Sequence, residues 1–320
     1  MELRAISPEA YALAVLPHTA ALWSGGRTFD QYVEQTLAIA HSVYGRRSYR
    51  TVGLFERREL LASCKRYERR ITFGERRLRA IGIGAVFTAA PLRGHGYATA
   101  MLAMLLDEAR TAGNDLAFLF SDIRPEFYAD LGFIELASRA FSLRASAVKA
   151  PRVRVEALSP RDWPGVRRCY DALSHLQPWS LERDAALWNR VRARWERSFD
   201  KLGTTRAANL LLRRGGKVVA YVLGTRDVRD DAYTLDEFGF LDEATAELVP
   251  SLLLAAAGDL RRITGWLPPS GAREVLPAVS VRKRKTAIFM AAGLSLIGRT
   301  LVSQTAATSK ADPLWATDHV

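Results

Sequence analysis

The stretch that most constrains this chain runs from Ile81 to Ala98, IGIGAVFTAAPLRGHGYA. Ala80 to Ala89 is short, apolar and rich in β-branched side chains, which predicts a buried strand. Pro91 ends it, because a proline nitrogen has no hydrogen to give to a ladder. Gly94 and Gly96 then let the backbone turn tightly and approach a ligand closely. Beyond them Ala98, Met101, Leu102, Leu105, Leu106 and Ala109 recur at i, i+3, i+4, i+7, i+8 and i+11, one face of an amphipathic helix. Gly113 is placed to stop that helix, and Leu116 to Phe120 reads as the next buried strand. Strand, crossover helix and strand make a right-handed βαβ unit.

The corner between strand and helix is prepared for an anion. The first N–H groups of a helix lack internal partners and carry the positive end of its dipole. Arg93 adds a fixed positive charge beside them. The loop is not a Walker A sequence, since no GxxxxGK[ST] is present, and Gly94-x-Gly96 lacks the third glycine of a dinucleotide fingerprint. The whole chain carries a net charge of +12 with a pI near 10.0, so it attracts anions in general.

Arg93-x-x-Gly96-x-Ala98 does match R-x-x-G-x-A, and Phe127-Tyr128-Ala129-Asp130-Leu131-Gly132-Phe133 matches an FYxxLGF segment at a suitable distance downstream. With the strand before and the helix after, these segments resemble the GNAT acetyltransferases over roughly residues 1 to 145. The resemblance implies an α/β (α+β) fold, a mixed twisted sheet flanked by helices, and acetyl-CoA as co-substrate. It places the pyrophosphate on Arg93, Gly94, His95, Gly96, Tyr97 and Ala98, and it has the main-chain amides of Phe87, Thr88 and Ala89 polarise the thioester carbonyl. Tyr128 then corresponds to the residue that protonates the leaving thiolate, a role suited to a phenol of pKa about 10. The general base is not named by the motif. Glu126, Asp122, Glu237 and the C-terminal carboxylate of Val320 are its candidates. Val320 is among them because tandem GNAT proteins of the Eis group place a terminal carboxylate in the active site, although this chain lacks that group's third domain.

A narrower resemblance joins Leu22-Trp23-Ser24-Gly25-Gly26, Tyr32, Leu61-Ala62-Ser63-Cys64, Val86-Phe87-Thr88 and the glycine loop to fungal lysine N-acetyltransferases. Where that pattern has an acid after the Ser-Cys pair, this chain has Lys65, a positive charge that would disfavour a dicationic substrate.

With 320 residues the chain is long enough for two units. We expect a catalytic domain over 1–145 and a second, degenerate GNAT-like domain over 146–320. In the first, Glu9 to Val43 reads as helical, Arg50 to Glu56 and Leu60 to Tyr67 as a hairpin, Glu68 to Arg79 as a turn region, and Pro125 to Leu131 as a short helix. Ser142 to Arg154 reads as a linker or an exposed strand edge. Beyond it, Tyr170 to Arg197 reads as helical, Leu210 to Arg213 and Lys217 to Gly224 as a hairpin, Tyr233 to Phe240 as a strand and Glu247 to Leu260 as a helix. Short strands are expected near Arg273 to Val281 and in the last segment. The second half lacks a cofactor loop: Leu241-Asp242-Glu243 follows its strand, and two acids repel a pyrophosphate. Its expected task is to wall one side of the substrate cleft, with Asp236 and Glu237 available to a cationic amine.

Composition removes several other classes. Cys64 and Cys169 are the only cysteines and form no CxxC, and the five histidines show no metal-ligand spacing, so no metal is expected. Tyr11 to Leu16 is too short for a signal-peptide core, and the apolar run Ala287 to Gly298 is too short to span a bilayer, which reads as a buried strand and loop in a cytoplasmic protein. The arginine pairs are dispersed and no nucleic-acid-binding motif accompanies them, so neither nucleic acid nor membrane is expected as a partner. The expected function is acetyl transfer to a primary amine of a small molecule, a lysine-like amino acid or a polyamine. The alternatives are a protein or peptide N-acetyltransferase, and a non-catalytic acyl-CoA sensor or nucleic-acid-binding module.

Overall fold

A computed structural model describes residues 1–122, 124–195 and 204–319. The chain opens with β1 (Glu2–Ile6) and the helices α1 (Pro8–Ala14), α2 (Leu16–Trp23), α3 (Phe29–His41) and α4 (Val43–Ser48). There follow β2 (Tyr49–Glu56), β3 (Glu59–Phe73), β4 (Arg76–Phe87), α5 (Tyr97–Thr111), β5 (Leu116–Ser121), α6 (Pro125–Ala129), β6 (Ile134–Glu135) and β7 (Arg139–Arg144). The second half holds β8 (Glu156–Ala157), α7 (Trp163–Ser174), β9 (Trp179–Leu181), α8 (Ala185–Trp195), β10 (Thr205–Ala207), β11 (Leu210–Arg214), β12 (Lys217–Asp227) and β13 (Ala232–Phe240). It ends with α9 (Glu243–Ala246), α10 (Val249–Ala257), β14 (Arg262–Trp266), β15 (Ser280–Lys283), β16 (Ile288–Gly293) and α11 (Leu296–Thr308).

The strands form two mixed sheets flanked by helices, as the fold class requires. The first has the order β1-β2-β3-β4-β5-β16-β6, with β9 added along β3; the second has the order β15-β7-β14-β13-β12-β11-β8, with β10 on β12. Within the first, β4 and β5 are the parallel pair, joined by α5. The expected stripe of that helix is its buried face: Met101, Leu102, Leu105, Leu106 and Ala109 all lie in the core beneath it.

The halves exchange strands. β16, from the last forty residues or so, runs antiparallel between β5 and β6, pairing Met290 with Leu119 and with Glu135. β7 leaves the first half to lie between β14 and β15. A division at residue 145 therefore assigns β16 to one half while its hydrogen bonds lie in the other. Buried charge fixes the crossing. Arg284 donates to Asp312 and to Ala287 O at 2.7 Å, and stacks on Trp266 at 3.7 Å, while Asp312 accepts the Arg139 N–H at 2.8 Å.

Several expectations for individual segments are corrected. Glu68 to Arg79 is not a turn region. β3 runs to Phe73 and β4 starts at Arg76, because Ile71 and Leu78 alternate into the core while the arginines between them project outwards. Ser142 to Arg154 is neither linker nor sheet edge over its first residues, which are interior ladder positions of β7. Tyr170 to Arg197 is not one helix: α7 ends before Pro178, β9 follows, and its Trp179 and Leu181 fill the core beside Ile71. The last segment carries α11 rather than a short strand, although Ile288–Gly293 is the buried strand expected there. Among the described residues no helix is long and apolar enough to cross a membrane.

Candidate active site

The site opens where β4 leaves β5. Their parallel pairing covers Ala80–Ile83 against Leu116–Leu119 and stops there. On the other side of β4, Ser63 faces Phe87 while Lys65 faces Gly84, so β4 places two residues, one extra, opposite Cys64. This is a β-bulge, and Ala85 within it has a φ of 49°. The bulge bends β4 away from β5 and opens a gap at the C-terminal ends of both parallel strands, where α/β sheets commonly bind ligands.

The loop beyond β4 is a fitting cradle for a pyrophosphate. Gly94 and Gly96 have φ of 81° and 76°, and Gly96 caps α5 without any side-chain hydrogen bond, so the first helix N–H groups stay available. A Cβ built on either glycine meets nothing within 4 Å, which leaves the space over the loop open. Arg93 is exposed and its Nε donates to Thr88 O at 3.1 Å, tying the loop to the strand end. His95 stacks on Tyr97 at 5.7 Å, and its Nδ1 lies 3.0 Å from Arg93 O. The Thr88 hydroxyl is buried beside this loop and has no partner among the described residues. Phe87 packs against His18 at 5.9 Å, and Ala89 and Ala98 are half-buried. Gly96→Ala is expected to weaken acetyl-CoA binding about five- to thirtyfold, since the left-handed backbone costs a non-glycine residue roughly 1–2 kcal/mol and nothing else obstructs the methyl group. Calorimetric titration checks it, and unchanged affinity would count against the loop as the binding element.

Tyr128 sits on α6 at the edge of the same gap. Its ring meets Phe127 and Phe133 edge-on at 4.9 and 6.1 Å, while its hydroxyl has no hydrogen-bond partner among the described residues. Burial, then the neighbouring Cys64 and Asp122, push the phenol up to about 12, so it keeps its proton at any working pH. Asp122 accepts the Ala287 N–H at 2.9 Å and Glu126 is exposed.

On the opposite face of the sheet lies a cavity of about 250 Å³ between α3, α4, α8, β3 and the tail residues Thr317, Asp318 and His319. Strand alternation explains the division: Cys64 and Arg66 point towards α5, where Arg66 meets Glu108 at 2.8 Å, whereas Lys65, Tyr67 and Arg69 line the cavity. Sequence reasoning did not assemble this group. Of its lining, Lys65 stands out in the sequence as a departure from the narrower family pattern.

Glu237 does not face an open site. Its side chain is 0% exposed, and its two oxygens accept from Arg183 at 3.1 and 2.6 Å, from Tyr221 and from Thr317. Arg183 also donates to Asp318 at 3.0 and 2.7 Å and stacks on Tyr170 at 4.0 Å. This cluster pins the tail beside the cavity. Asp236 is half-buried, and burial pushes its carboxyl up to about 7 despite Arg194. Val320 lies outside the described residues.

His319, the last described residue, packs between Phe120 at 4.8 Å and the edge-on Trp266 at 5.8 Å, with Nε2 buried and without a partner among the described residues. Burial first, then Arg194 and Arg284, push it down to about 4. The folded state therefore prefers the neutral ring. Its contribution is complete above about pH 6.5 and is lost as the pH falls towards 4, a loss of about 2 kcal/mol at pH 5. Thermal unfolding at pH 7 and pH 5 should show this fall, and His319→Phe should flatten it; an equal fall in the variant would assign the effect elsewhere.

A depression of about 1240 Å³ gathers arginines that look dispersed in the sequence, including Arg47, Arg70 and Arg167. Much of its charge is already paired, as in Arg50–Glu68, Arg66–Glu108 and Arg77–Glu182.

The glycine loop, the bulged strand and the tyrosine fall within residues 20–135, which match the family model described as acetyltransferase (GNAT) domain. No curated protein matches the chain by sequence. Among solved structures, a GCN5-related N-acetyltransferase from Anabaena variabilis superposes with a TM-score of 0.71 at 16% identity, over 93% of this chain and 74% of that one. The Eis1 protein of Mycobacterium abscessus gives a TM-score of 0.61 at 14% identity, over 92% and 73%. The N-myristoyltransferase of Saccharomyces cerevisiae, solved with myristoyl-CoA, gives 0.54 at 8%, over 91% and 78%. These likenesses establish the fold. The expected enzyme class, an N-acetyltransferase, is borne out by the domain match.

Proposed function

We propose that the protein moves an acetyl group from acetyl-CoA to a primary amine of a small molecule by direct attack. The reading rests on one observation: the gap between β4 and β5 has an open glycine loop and a protonated tyrosine at its edge, and a cavity of about 250 Å³ on the sheet face opposite Tyr128. Acetyl-CoA supplies the acetyl group as a thioester. Arg93, Gly94, His95, Gly96, Tyr97 and Ala98 hold its pyrophosphate, and the amides at Phe87, Thr88 and Ala89 orient the carbonyl. Tyr128 gives its proton to the departing sulfur.

The acceptor is a small amine of the amino-acid or polyamine kind, since α3, α4, α8 and the tail line a cavity of about 250 Å³, a volume suited to a small acceptor. The second sheet, with no cofactor loop of its own, serves as the wall that carries α8 and the tail, which keeps residues 146–320 as the supporting half of a tandem arrangement. Glu237 acts by anchoring the tail, and Val320 remains a candidate base that follows directly on His319.

Thiol release from acetyl-CoA, measured with lysine, other amino acids, polyamines, aminoglycosides and basic peptides, tests the reading. Release with one class of small amine is the expected result. Release with basic peptides alone would replace the acceptor class, and acetyl-CoA binding without any release would point to a sensor.

A further inference from the structure

The cavity behind the strand gap is built from cations and aromatic rings. Lys65, Arg69, Arg190 and Arg194 line it, and the one carboxylate in its described lining, Asp318, is engaged by Arg183 and by the Trp315 N–H. Lys65 makes no ion pair or hydrogen bond among the described residues and lies against the rings of Tyr11 and Tyr49 at 5.5 and 5.7 Å. Arg190 likewise has no carboxylate within ion-pair distance among the described residues. Arg69 is held by neutral partners, the Tyr44 hydroxyl at 2.6 Å and the carbonyls of Glu68 and Ser48 at 2.9 and 3.4 Å. Burial and the nearby Arg190 push the Lys65 ammonium down to about 8, which fits a site short of negative charge. Tyr67, Leu181, Leu187 and Val191 complete a largely apolar wall.

Buried cations are normally paired, because a charge taken out of water is costly unless an opposite charge or strong acceptor meets it. Here the half-buried Lys65 and Arg190 border the cavity with no carboxylate within ion-pair distance among the described residues, while Arg69 has its neutral partners and Arg194 lies near Asp236. We infer that the acceptor is an amine that also carries an anionic oxygen group, a carboxylate or a phosphate, and that Lys65 and Arg190 receive that group. This rests on the acetyltransferase reading and sharpens it, because it selects amino-acid-like acceptors and rejects polyamines. A polyamine would bring further positive charge to Lys65 and Arg190, and the one acid in the described lining, Asp318, is already engaged. An acceptor with an anion replaces the missing counter-charge and leaves its amine for the thioester. Lys65 and Arg190 are specificity-determining rather than catalytic residues, since they act away from the reacting atoms.

Binding in the presence of coenzyme A, followed by thermal shift and calorimetry, decides it. The probes are matched pairs: N-acetylphenylalanine with its carboxamide, N-acetylalanine with its carboxamide, and O-phosphoethanolamine with ethanolamine. The anionic member of at least one pair should bind roughly ten- to hundredfold more tightly, the range expected for hydrogen bonds to a charged group. The carboxylate and phosphate pairs show which oxygen group is preferred. Lys65→Met and Arg190→Leu should each erase most of that preference. Coenzyme A binding by the same variants reports that they are folded. Equal binding within every pair, absence of binding by every anion, or a preference that survives both substitutions would overturn the inference. Thiol release from acetyl-CoA, measured separately with the unblocked amines phenylalanine, alanine, O-phosphoethanolamine and spermidine, separates the two readings. Turnover of spermidine without anion preference would keep the acetyltransferase and remove the anion site; Lys65-dependent anion binding without any turnover would do the reverse.

Discussion

Tyr128→Phe is expected to lower turnover by roughly 10²–10⁴-fold, the usual contribution of a positioned proton donor. The substitution removes one oxygen and leaves the ring against Phe127 and Phe133, so folding and acetyl-CoA affinity should change little. Its phenol, held near 12 by burial, stays protonated throughout the accessible range. The wild-type rate should therefore show no alkaline limb from this group below about pH 10. Steady-state kinetics with thiol detection, together with calorimetry of acetyl-CoA binding, checks both halves. A variant that keeps full turnover would remove Tyr128 from the chemistry. A variant that loses affinity in proportion to rate would recast it as a packing residue.

Arg183→Met is expected to destabilise the protein by about 3–5 kcal/mol, the cost of breaking a buried ion pair from one side. The arginine, Glu237 and Asp318 have side-chain exposures of 0%, 0% and 1%, so the substitution leaves two carboxylates buried beside each other without a cation. The midpoint of thermal unfolding should fall by on the order of 10 °C. Arg183→Met combined with Glu237→Gln should recover part of the loss, because the worst of the uncompensated charge is then removed. Turnover should also drop in the single variant, through the tail that Asp318 and Thr317 hold against the cavity. If Arg183→Met unfolded at the wild-type temperature, the cluster would not be the anchor its geometry describes.

Both predictions turn on residues that the linear sequence treats very differently. Tyr128 is legible because the signal is local. A strand, a glycine turn, a helix stripe and an FYxxLGF segment lie within about fifty residues of one another, and each carries its own short-range constraint. Glu237 misleads for the opposite reason. An acid at the end of a strand reads as solvated or available, and nothing within its own segment announces Arg183, 54 positions away, or Thr317, 80 positions away. The arginine-rich hairpin of β3 and β4 was obscured in a similar way, since charged residues on its outward face hid the alternation of Ile71 and Leu78.

By itself, then, the sequence determined the elements whose causes are local: the buried strand ending at Phe87, the left-handed glycines of the loop, the one-sided face of α5 and the placement of Tyr128. Only the tertiary structure decided that β16 completes the first sheet and β7 the second, and that the tail folds back beside β3. It also brought Lys65, Arg69, Arg190 and Arg194 around one cavity. Strand pairing and charge gathering depend on contacts between residues far apart in the chain, and such contacts leave no periodicity to read; a short apolar strand such as Ile288–Gly293 is compatible with many neighbours until the rest of the core selects one.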